Sequence, residues 1–135
     1  MLKVVVIDAN AISRNLLSSV LVNGGFNVIG DANITSAGIA AMIKLQPQLV
    51  CIDLGGADDE AFARLATLRE GVPKAVVFLV SAKFDAATVQ TALERGVHGF
   101  IVKPFNAGNV IESIRKAILK LAHQHRQGPA QDSRA

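Results

Sequence analysis

The chain has 135 residues, half of them hydrophobic, and a formal net charge of +3. This length suits one domain, and the composition argues against disorder over most of the chain. Cys51 is the single cysteine, which excludes an internal disulfide. No apolar run is long enough to cross a bilayer, and no signal peptide is recognisable. We therefore expect a cytoplasmic protein that does not contact membranes.

The positive charge is concentrated near the C-terminus. Before Arg115 there are nine Lys/Arg against ten Asp/Glu, and from Arg115 onwards there are five against one. This distribution predicts a basic solvated face on the last helix, followed by a flexible basic tail over residues 123–135. Nucleic-acid binding by the tail is the alternative interpretation, and we do not expect it.

Strand-like and helix-like segments alternate along the chain. Continuous apolar or β-branched runs predict strands over residues 3–8, 26–30, 49–53, 75–80 and 99–102. Helical spacing of apolar residues and capping residues predict five intervening helices, with N-caps at Thr35, Asp85 and Asn106 and a last helix ending near Ala122. Five alternating pairs predict an α/β domain over residues 1–122, in which a parallel sheet is covered by helices on both faces.

Four polar residues directly follow predicted strands. In an open parallel sheet the functional crevice lies at the carboxyl ends of the strands. The residues at this edge are Asp8, Asp53, Ser81 and Lys103. Two carboxylates, a hydroxyl and an ammonium group at one edge are the chemistry of a phosphoryl-transfer site, although each residue alone could be a turn or cap residue.

Four segments resemble a known family. They are IDAN (residues 7–10), CIDLG (51–55), FLVSA (78–82) and GVHGFIVKPF (96–105). In this order they resemble the receiver domain of two-component response regulators, in particular single-domain chemotaxis regulators, over residues 2–121. The resemblance implies a doubly wound, flavodoxin-like (βα)5 fold with strand order 2-1-3-4-5.

The resemblance also implies residue roles. Asp53 would accept a phosphoryl group from a phosphohistidine on a sensor histidine kinase or phosphotransfer protein. Lys103 would contact the phosphoryl group, and the Lys103–Pro104 bond is commonly cis in the family. Ser81 and Phe100 would form the pair of hydroxyl and aromatic ring that switches on phosphorylation.

The metal site departs from the family pattern. The resemblance implies that Asp8, Asp53 and the backbone carbonyl of Gly55 hold Mg²⁺. The family usually has two adjacent acids after the first strand, but here the second is Ala9, so we expect weak Mg²⁺ binding. The loop after Asp53 reads LGGADDEA instead of carrying the usual Met-Pro, and its acidic residues are expected to favour the start of the next helix.

The sequence thus predicts a receiver domain of a phosphorelay that signals through a downstream protein partner and is not an enzyme. We expect no output domain after residue 122, and a homodimer through the last helices is a further alternative. A second interpretation is a degenerate pseudo-receiver that acts as a phosphorylation-independent interaction module. A flavodoxin-like nucleotide-binding enzyme is a rival on the same sheet, but no Gly-rich phosphate loop follows the first strand.

Overall fold

The structure is a computed structural model that describes the backbone of residues 2–134 and the side chains of residues 2–124. Strands and helices alternate throughout. The strands are β1 (Lys3–Ile7), β2 (Asn27–Ala32), β3 (Leu49–Ile52), β4 (Val76–Ser81) and β5 (Gly99–Val102). The helices are α1 (Ala11–Asn23), α2 (Ser36–Lys44), α3 (Asp59–Gly71), α4 (Ala86–Glu94) and α5 (Ala107–Arg134).

The five strands form one parallel sheet in the order β2-β1-β3-β4-β5. The predicted α/β fold and the strand order that the resemblance implied are therefore confirmed. In the register, Ile7 of β1 lies beside Ile52 of β3, and Ser81 of β4 lies beside Val102 of β5. The carboxyl ends of these four strands consequently share one edge of the sheet.

Alternate residues of the central strands pack into two separate hydrophobic cores, one on each face of the sheet. Val5 and Ile52 face a core that includes residues of α2, α3 and α4, whereas Val4 and Cys51 face a core that includes residues of α1 and α5. The central strands are buried on both faces, which is why they read as continuous apolar runs. Burial also raises the pKa of the Cys51 thiol to about 12, so it serves as a small core residue.

Most predicted helix starts are confirmed by their caps. The side chains of Thr35, Asp85 and Asn106 accept hydrogen bonds from backbone N–H groups in the first turns of α2, α4 and α5. Asp58 caps α3 in the same way, and Asp59 and Glu60 occupy its first turn. The expected role of these acids at a helix N-terminus is therefore confirmed.

Several predicted boundaries were wrong. β1 and β3 each end one residue early, so Asp8 and Asp53 lie just outside the ladder. β2 begins at Asn27 and continues to Ala32, because pairing with β1 continues past the apolar run. Helix α5 runs to Arg134, beyond the predicted end near Ala122. The flexibility predicted for residues 123–135 stays a prediction, and the side chains past Gln124 lie outside the described residues.

No helix among the described residues is long and apolar enough to span a membrane.

Candidate functional site

Asp8, Asp53 and Lys103 meet at the carboxyl edge of the sheet. The ammonium nitrogen of Lys103 lies 2.8 Å from Oδ2 of Asp53 and 2.9 Å from Oδ2 of Asp8. The aspartates follow adjacent strands, whereas Lys103 follows β5 and reaches past the end of β4 on its flexible stem. The sequence predicted all three at this edge, and the structure brings them into direct contact.

The three side chains are largely removed from solvent. Asp8, Lys103 and Asp53 are 7%, 19% and 21% exposed, respectively. Burial alone would lower the pKa of Lys103, but hydrogen bonds and charge attraction from Asp53 and Asp8 outweigh it and raise that pKa above its ordinary value. Lys103 therefore stays charged at neutral pH and holds two carboxylates at one point.

The loop after β1 fixes Asp8 from two directions. Oδ1 of Asp8 accepts a hydrogen bond from the backbone N–H of Asn10 at 2.8 Å, and Asn10 in turn caps α1. Arg14 of α1 donates from Nη1 to the backbone carbonyl of Asp8 at 2.7 Å. Ala9 is exposed in this loop, where the resemblance would place the second acid. The loop is thus ordered around a single carboxylate.

The loop after β3 fixes Asp53 in a parallel way. Oδ1 of Asp53 accepts a hydrogen bond from the backbone N–H of Gly55 at 2.9 Å. Gly55 has a φ of +80°, a conformation that favours glycine. Arg64 of α3 donates from Nη1 to the backbone carbonyl of Leu54 at 2.9 Å. Both carboxylates therefore have one oxygen on a backbone N–H group and the other on Lys103.

Ser81 and Phe100 both contact the loop that follows β4. The Ser81 hydroxyl donates to the carbonyl of Lys83 at 2.9 Å and accepts from the Lys83 N–H at 3.2 Å. The Phe100 ring packs edge-on against Phe84, with 5.0 Å between ring centroids. In this structure Ser81 therefore serves its own loop, which was the plainer of its two sequence interpretations.

An apolar cavity of about 240 Å³ opens beside Asp53. Ser81, Phe84 and Phe62 are among its lining residues. Phe84 could not be predicted from the sequence, because an aromatic residue in a loop after a strand carries no specific signal. The cavity and the Phe84 ring leave the Ser81 loop room to change its packing.

The carboxylates at this edge of the sheet are ligands of the kind that Mg²⁺ prefers. Among the residues whose side chains are described, no group of three or more His, Cys, Asp or Glu could hold a metal ion. Asp8 and Asp53 nevertheless already share one cation, Lys103, so their oxygens converge on a single point. Mg²⁺ keeps several waters and commonly takes only one or two carboxylates. Asp8 and Asp53 therefore fit Mg²⁺ as a minimal pair of carboxylate ligands, and the role expected of the Gly55 carbonyl stays a prediction.

Comparison with known proteins identifies the family. Residues 4–115 match the model of the response regulator receiver domain. The chain belongs to this family. The receiver is 27% identical to the chemotaxis protein CheY of Listeria monocytogenes over 117 residues, covering 87% of this chain and 98% of that protein. It is also 27% identical to CheY of Bacillus subtilis over 116 residues, covering 86% and 97%.

A solved receiver domain has the same fold. The signal receiver domain of the response regulator NarL from Mycobacterium tuberculosis aligns with a TM-score of 0.72 and 25% identity, covering 85% of this chain and 94% of that one. Receiver domains generally accept a phosphoryl group, bind Mg²⁺ at their acidic pocket, and interact with histidine kinases or phosphotransfer proteins and with downstream targets.

Proposed function

We propose that Asp53 of this receiver accepts a phosphoryl group from a phosphohistidine on a sensor histidine kinase or phosphotransfer protein. The observation that supports this most strongly is the contact of one ammonium group, Lys103, with both Asp53 and Asp8. A carboxylate that ends a buried strand beside a fixed cation is suited to receive an anionic group. The cation lowers the repulsion between the nucleophile and the phosphoryl oxygens.

The transfer is a displacement at phosphorus. A carboxylate oxygen of Asp53 attacks, the bond from phosphorus to the imidazole nitrogen breaks, and its electron pair stays on the imidazole. Lys103 neutralises part of the charge on the phosphoryl oxygens, as a point charge. Asp8, Asp53 and the Gly55 carbonyl would hold Mg²⁺, which would supply further charge neutralisation. The product is an acyl phosphate on Asp53.

The readout is a change in surface shape. New phosphoryl oxygens attract the Ser81 hydroxyl, which must first release Lys83. Movement of this loop displaces Phe84 and so frees the Phe100 ring that packs against it. The altered surface then binds a downstream protein partner in the cytoplasm. In this proposal the chain relays a signal and is not an enzyme that turns over a small molecule.

Ala9 favours a second candidate function. With one acid fewer, the pocket has less negative charge with which to hold Mg²⁺, and Lys103 already neutralises part of the rest. A pseudo-receiver would keep the fold and the partner surface and would respond to binding alone. It differs from the first proposal in that the partner would bind equally well before and after the protein is incubated with a phosphodonor.

The two functions are separated by incubating the protein with acetyl phosphate and Mg²⁺ and measuring its intact mass. We expect one added phosphoryl group that mild base removes, and none on Asp53→Asn. Asp58→Asn is the matched control, because Asp58 lies on the same loop but caps α3, and asparagine caps equally well. No added mass on the parent protein, or equal mass on Asp53→Asn, would contradict the first proposal.

A further inference from the structure

Two arginines on different helices make the same pattern of contacts around the site. Arg14 of α1 donates from Nη1 to the backbone carbonyl of Asp8 at 2.7 Å and from Nε to the carboxylate of Asp31 at 3.2 Å. Arg64 of α3 donates from Nη1 to the backbone carbonyl of Leu54 at 2.9 Å and from Nη2 to Glu60 at 3.0 Å. Each guanidinium thus joins an anchoring acid to a carbonyl at, or next to, a site aspartate.

The burial of these contacts differs between their two ends. The side chains of Arg14 and Arg64 are only 19% and 26% exposed, whereas those of Asp31 and Glu60 are 47% and 76% exposed. Surface ion pairs of this kind contribute little to stability. Hydrogen bonds from a charged donor to a partly buried carbonyl are stronger, and the planar guanidinium holds this bond and the contact to the acid in one fixed geometry. The hydrogen bonds of Arg14 and Arg64 to the backbone carbonyls therefore contribute more to the order of the loops than the ion pairs do.

The arginines add to the hydrogen bonds by which Asp8 and Asp53 order these loops. Asp8 is followed by Ala9, whose side chain makes no polar contact, and Asp53 is followed by Leu54 and two glycines, which have wide conformational freedom. The Asn10 and Gly55 N–H groups that bond to the aspartates sit on these same loops. A shift of either loop would move a site carboxylate.

We propose that Arg14 and Arg64 are positioning residues that set the orientation of Asp8 and Asp53 by holding the backbone carbonyls of Asp8 and Leu54. The proposal rests on the proposed function, because the orientation matters only if Asp53 reacts. Neither arginine contacts Lys103 or the carboxylate oxygens, so each acts through its loop. Together they place a fixed positive charge on two sides of the pocket.

The chain offers a matched control in Arg69. Its guanidinium also donates to two backbone carbonyls, those of Ala75 at 2.6 Å and Pro73 at 2.7 Å. These carbonyls lie before β4, at the opposite edge of the sheet from the site. Arg69→Gln should therefore cost stability as the other two substitutions do, while leaving the site unchanged.

The test combines a spectroscopic readout with a reaction rate in Arg14→Gln, Arg64→Gln and Arg69→Gln. Amide NMR should show the Asn10 N–H signal shifted in Arg14→Gln and the Gly55 N–H signal shifted in Arg64→Gln, with neither shifted in Arg69→Gln. Phosphorylation by acetyl phosphate at saturating Mg²⁺ should slow by about tenfold in the first two variants, since small displacements of reacting groups cost one to two orders of magnitude. Arg69→Gln should react at the parent rate.

Lysine substitutions separate charge from geometry. Arg14→Lys and Arg64→Lys keep the positive charge but lose the two-pronged contact, and we expect them to stay slow and to keep the shifted amide signals. Full recovery of the rate by lysine would overturn the proposal, because charge alone would then suffice. Unshifted amide signals in Arg14→Gln and Arg64→Gln would overturn it as well.

Two further measurements test the proposal if a variant does not fold or if the parent accepts no phosphate. If Arg14→Gln or Arg64→Gln does not fold, Asp31→Asn and Glu60→Gln remove only the exposed anchors and should shift the same amide signals by a smaller amount; unshifted signals there contradict the proposal. The amide measurement needs no phosphodonor. A parent protein that accepts no phosphate would therefore overturn the proposed function, while the amide shifts would still decide the role of the two arginines.

Discussion

At the scale of single residues, Lys103 has two roles that oppose each other. Its ammonium group occupies the point where Asp8 and Asp53 converge, which is also the point to which a divalent cation would be attracted. The same charge would neutralise an incoming phosphoryl group. Removing it should therefore change metal binding and phosphorylation in opposite directions.

We predict that Lys103→Met binds Mg²⁺ at least several-fold more tightly than the parent and is phosphorylated at least tenfold more slowly. Without the ammonium group, the repulsion between the two carboxylates is relieved only by the metal. Mg²⁺ titration followed by amide NMR measures the affinity, and intact mass against time measures the rate. Lys83→Met, on the exposed loop after β4, is the control. Weaker Mg²⁺ binding in Lys103→Met would contradict this account.

Ala9 is the second residue with a specific consequence. We predict that Ala9→Asp raises Mg²⁺ affinity by about tenfold or more, which corresponds to about 1.4 kcal/mol, because it adds one oxygen ligand and one negative charge. The metal-free variant should be slightly less stable than the parent because of the added like charge. Calorimetric titration with Mg²⁺ measures the affinity, and urea unfolding measures the stability.

Ala11→Asp is the control for Ala9→Asp. It adds the same charge in the first turn of α1, where a carboxylate is favourable and lies on the helix. If Ala11→Asp raised the affinity as much as Ala9→Asp, general electrostatic attraction would explain the effect and no specific ligand position at residue 9 would be needed.

At the scale of elements, the strands could be predicted more reliably than their ends. Val4–Ile7 of β1 and all of β3 are buried on both faces, so these residues are apolar and the run is unambiguous. Their last residues depend on side chain to backbone contacts, such as those of Asp8 and Asp53 with the following loops, which no periodicity reveals. β2 is only partly buried, and its longer extent comes from pairing with β1.

The part of the site that lies at strand ends could be predicted from the sequence. The strand-end rule selects Asp8, Asp53 and Lys103 because their positions follow from the fold alone. This rule does not select Arg14 or Arg64, because an arginine in a predicted helix is expected to be an exposed surface residue. Their reach back to a loop carbonyl depends on how α1 and α3 pack on the sheet. Phe84 was missed because its partner, Phe100, lies on another element.

Beside the pairing of β4 with β5 lies a histidine whose hydrogen bond requires the neutral imidazole. Nδ1 of His98 accepts a hydrogen bond from the backbone N–H of Val77 at 3.0 Å. The backbone N–H of His98 donates to the backbone carbonyl of Val77 at 2.8 Å. Burial, and secondarily the charge of Arg69, lower the pKa of His98 below its ordinary value. The folded state therefore favours neutral imidazole, which is the form that can accept the bond.

We predict that this contribution is present above the ordinary histidine pKa of about 6.5 and is lost as the pH falls through the lowered folded value. His98→Leu should lower the free energy of unfolding by about 1–3 kcal/mol at pH 7.5, since it leaves the Val77 N–H without its acceptor. The loss should shrink at lower pH. Urea unfolding at several pH values measures both effects.

His123→Gln is the control for the pH dependence, because His123 is exposed on α5. It should reproduce the parent's profile between pH 7.5 and pH 5. If the difference in unfolding free energy between the parent and His98→Leu stayed the same from pH 7.5 to pH 5, the Val77–His98 contact would not govern the pH dependence of stability.

At the scale of the whole molecule, Ser81 and Phe100, the pair proposed to switch on phosphorylation, both contact the loop between β4 and α4. The Ser81 hydroxyl is bonded to Lys83, and Phe84 packs on Phe100, so the β4–α4 loop joins the site to β5. Phosphorylation would have to break these contacts before the surface could change. The response should consequently spread from the site through this loop.

We predict that the phosphoryl mimic beryllofluoride, with Mg²⁺, shifts the amide signals of Ser81, Lys83 and Phe84 together with those of β5. The new acceptor atoms favour a displaced Ser81 hydroxyl, and the packed rings transmit the movement. Ser81→Ala should confine the shifts to the loop after β3. Shifts confined to that loop in the parent would show that the site is not coupled to Phe100.

The central claim, that Asp53 is the phosphoacceptor held by Lys103, is tested most directly by locating the modified residue. The protein is phosphorylated with acetyl phosphate and Mg²⁺, reduced with borohydride, which attacks an acyl phosphate, and mapped by peptide mass spectrometry. We expect reduction at position 53 alone. When acetyl phosphate is limiting, we expect this reduction to be lost in Lys103→Met. Reduction at Asp8 or Asp58, or at no position, would contradict it.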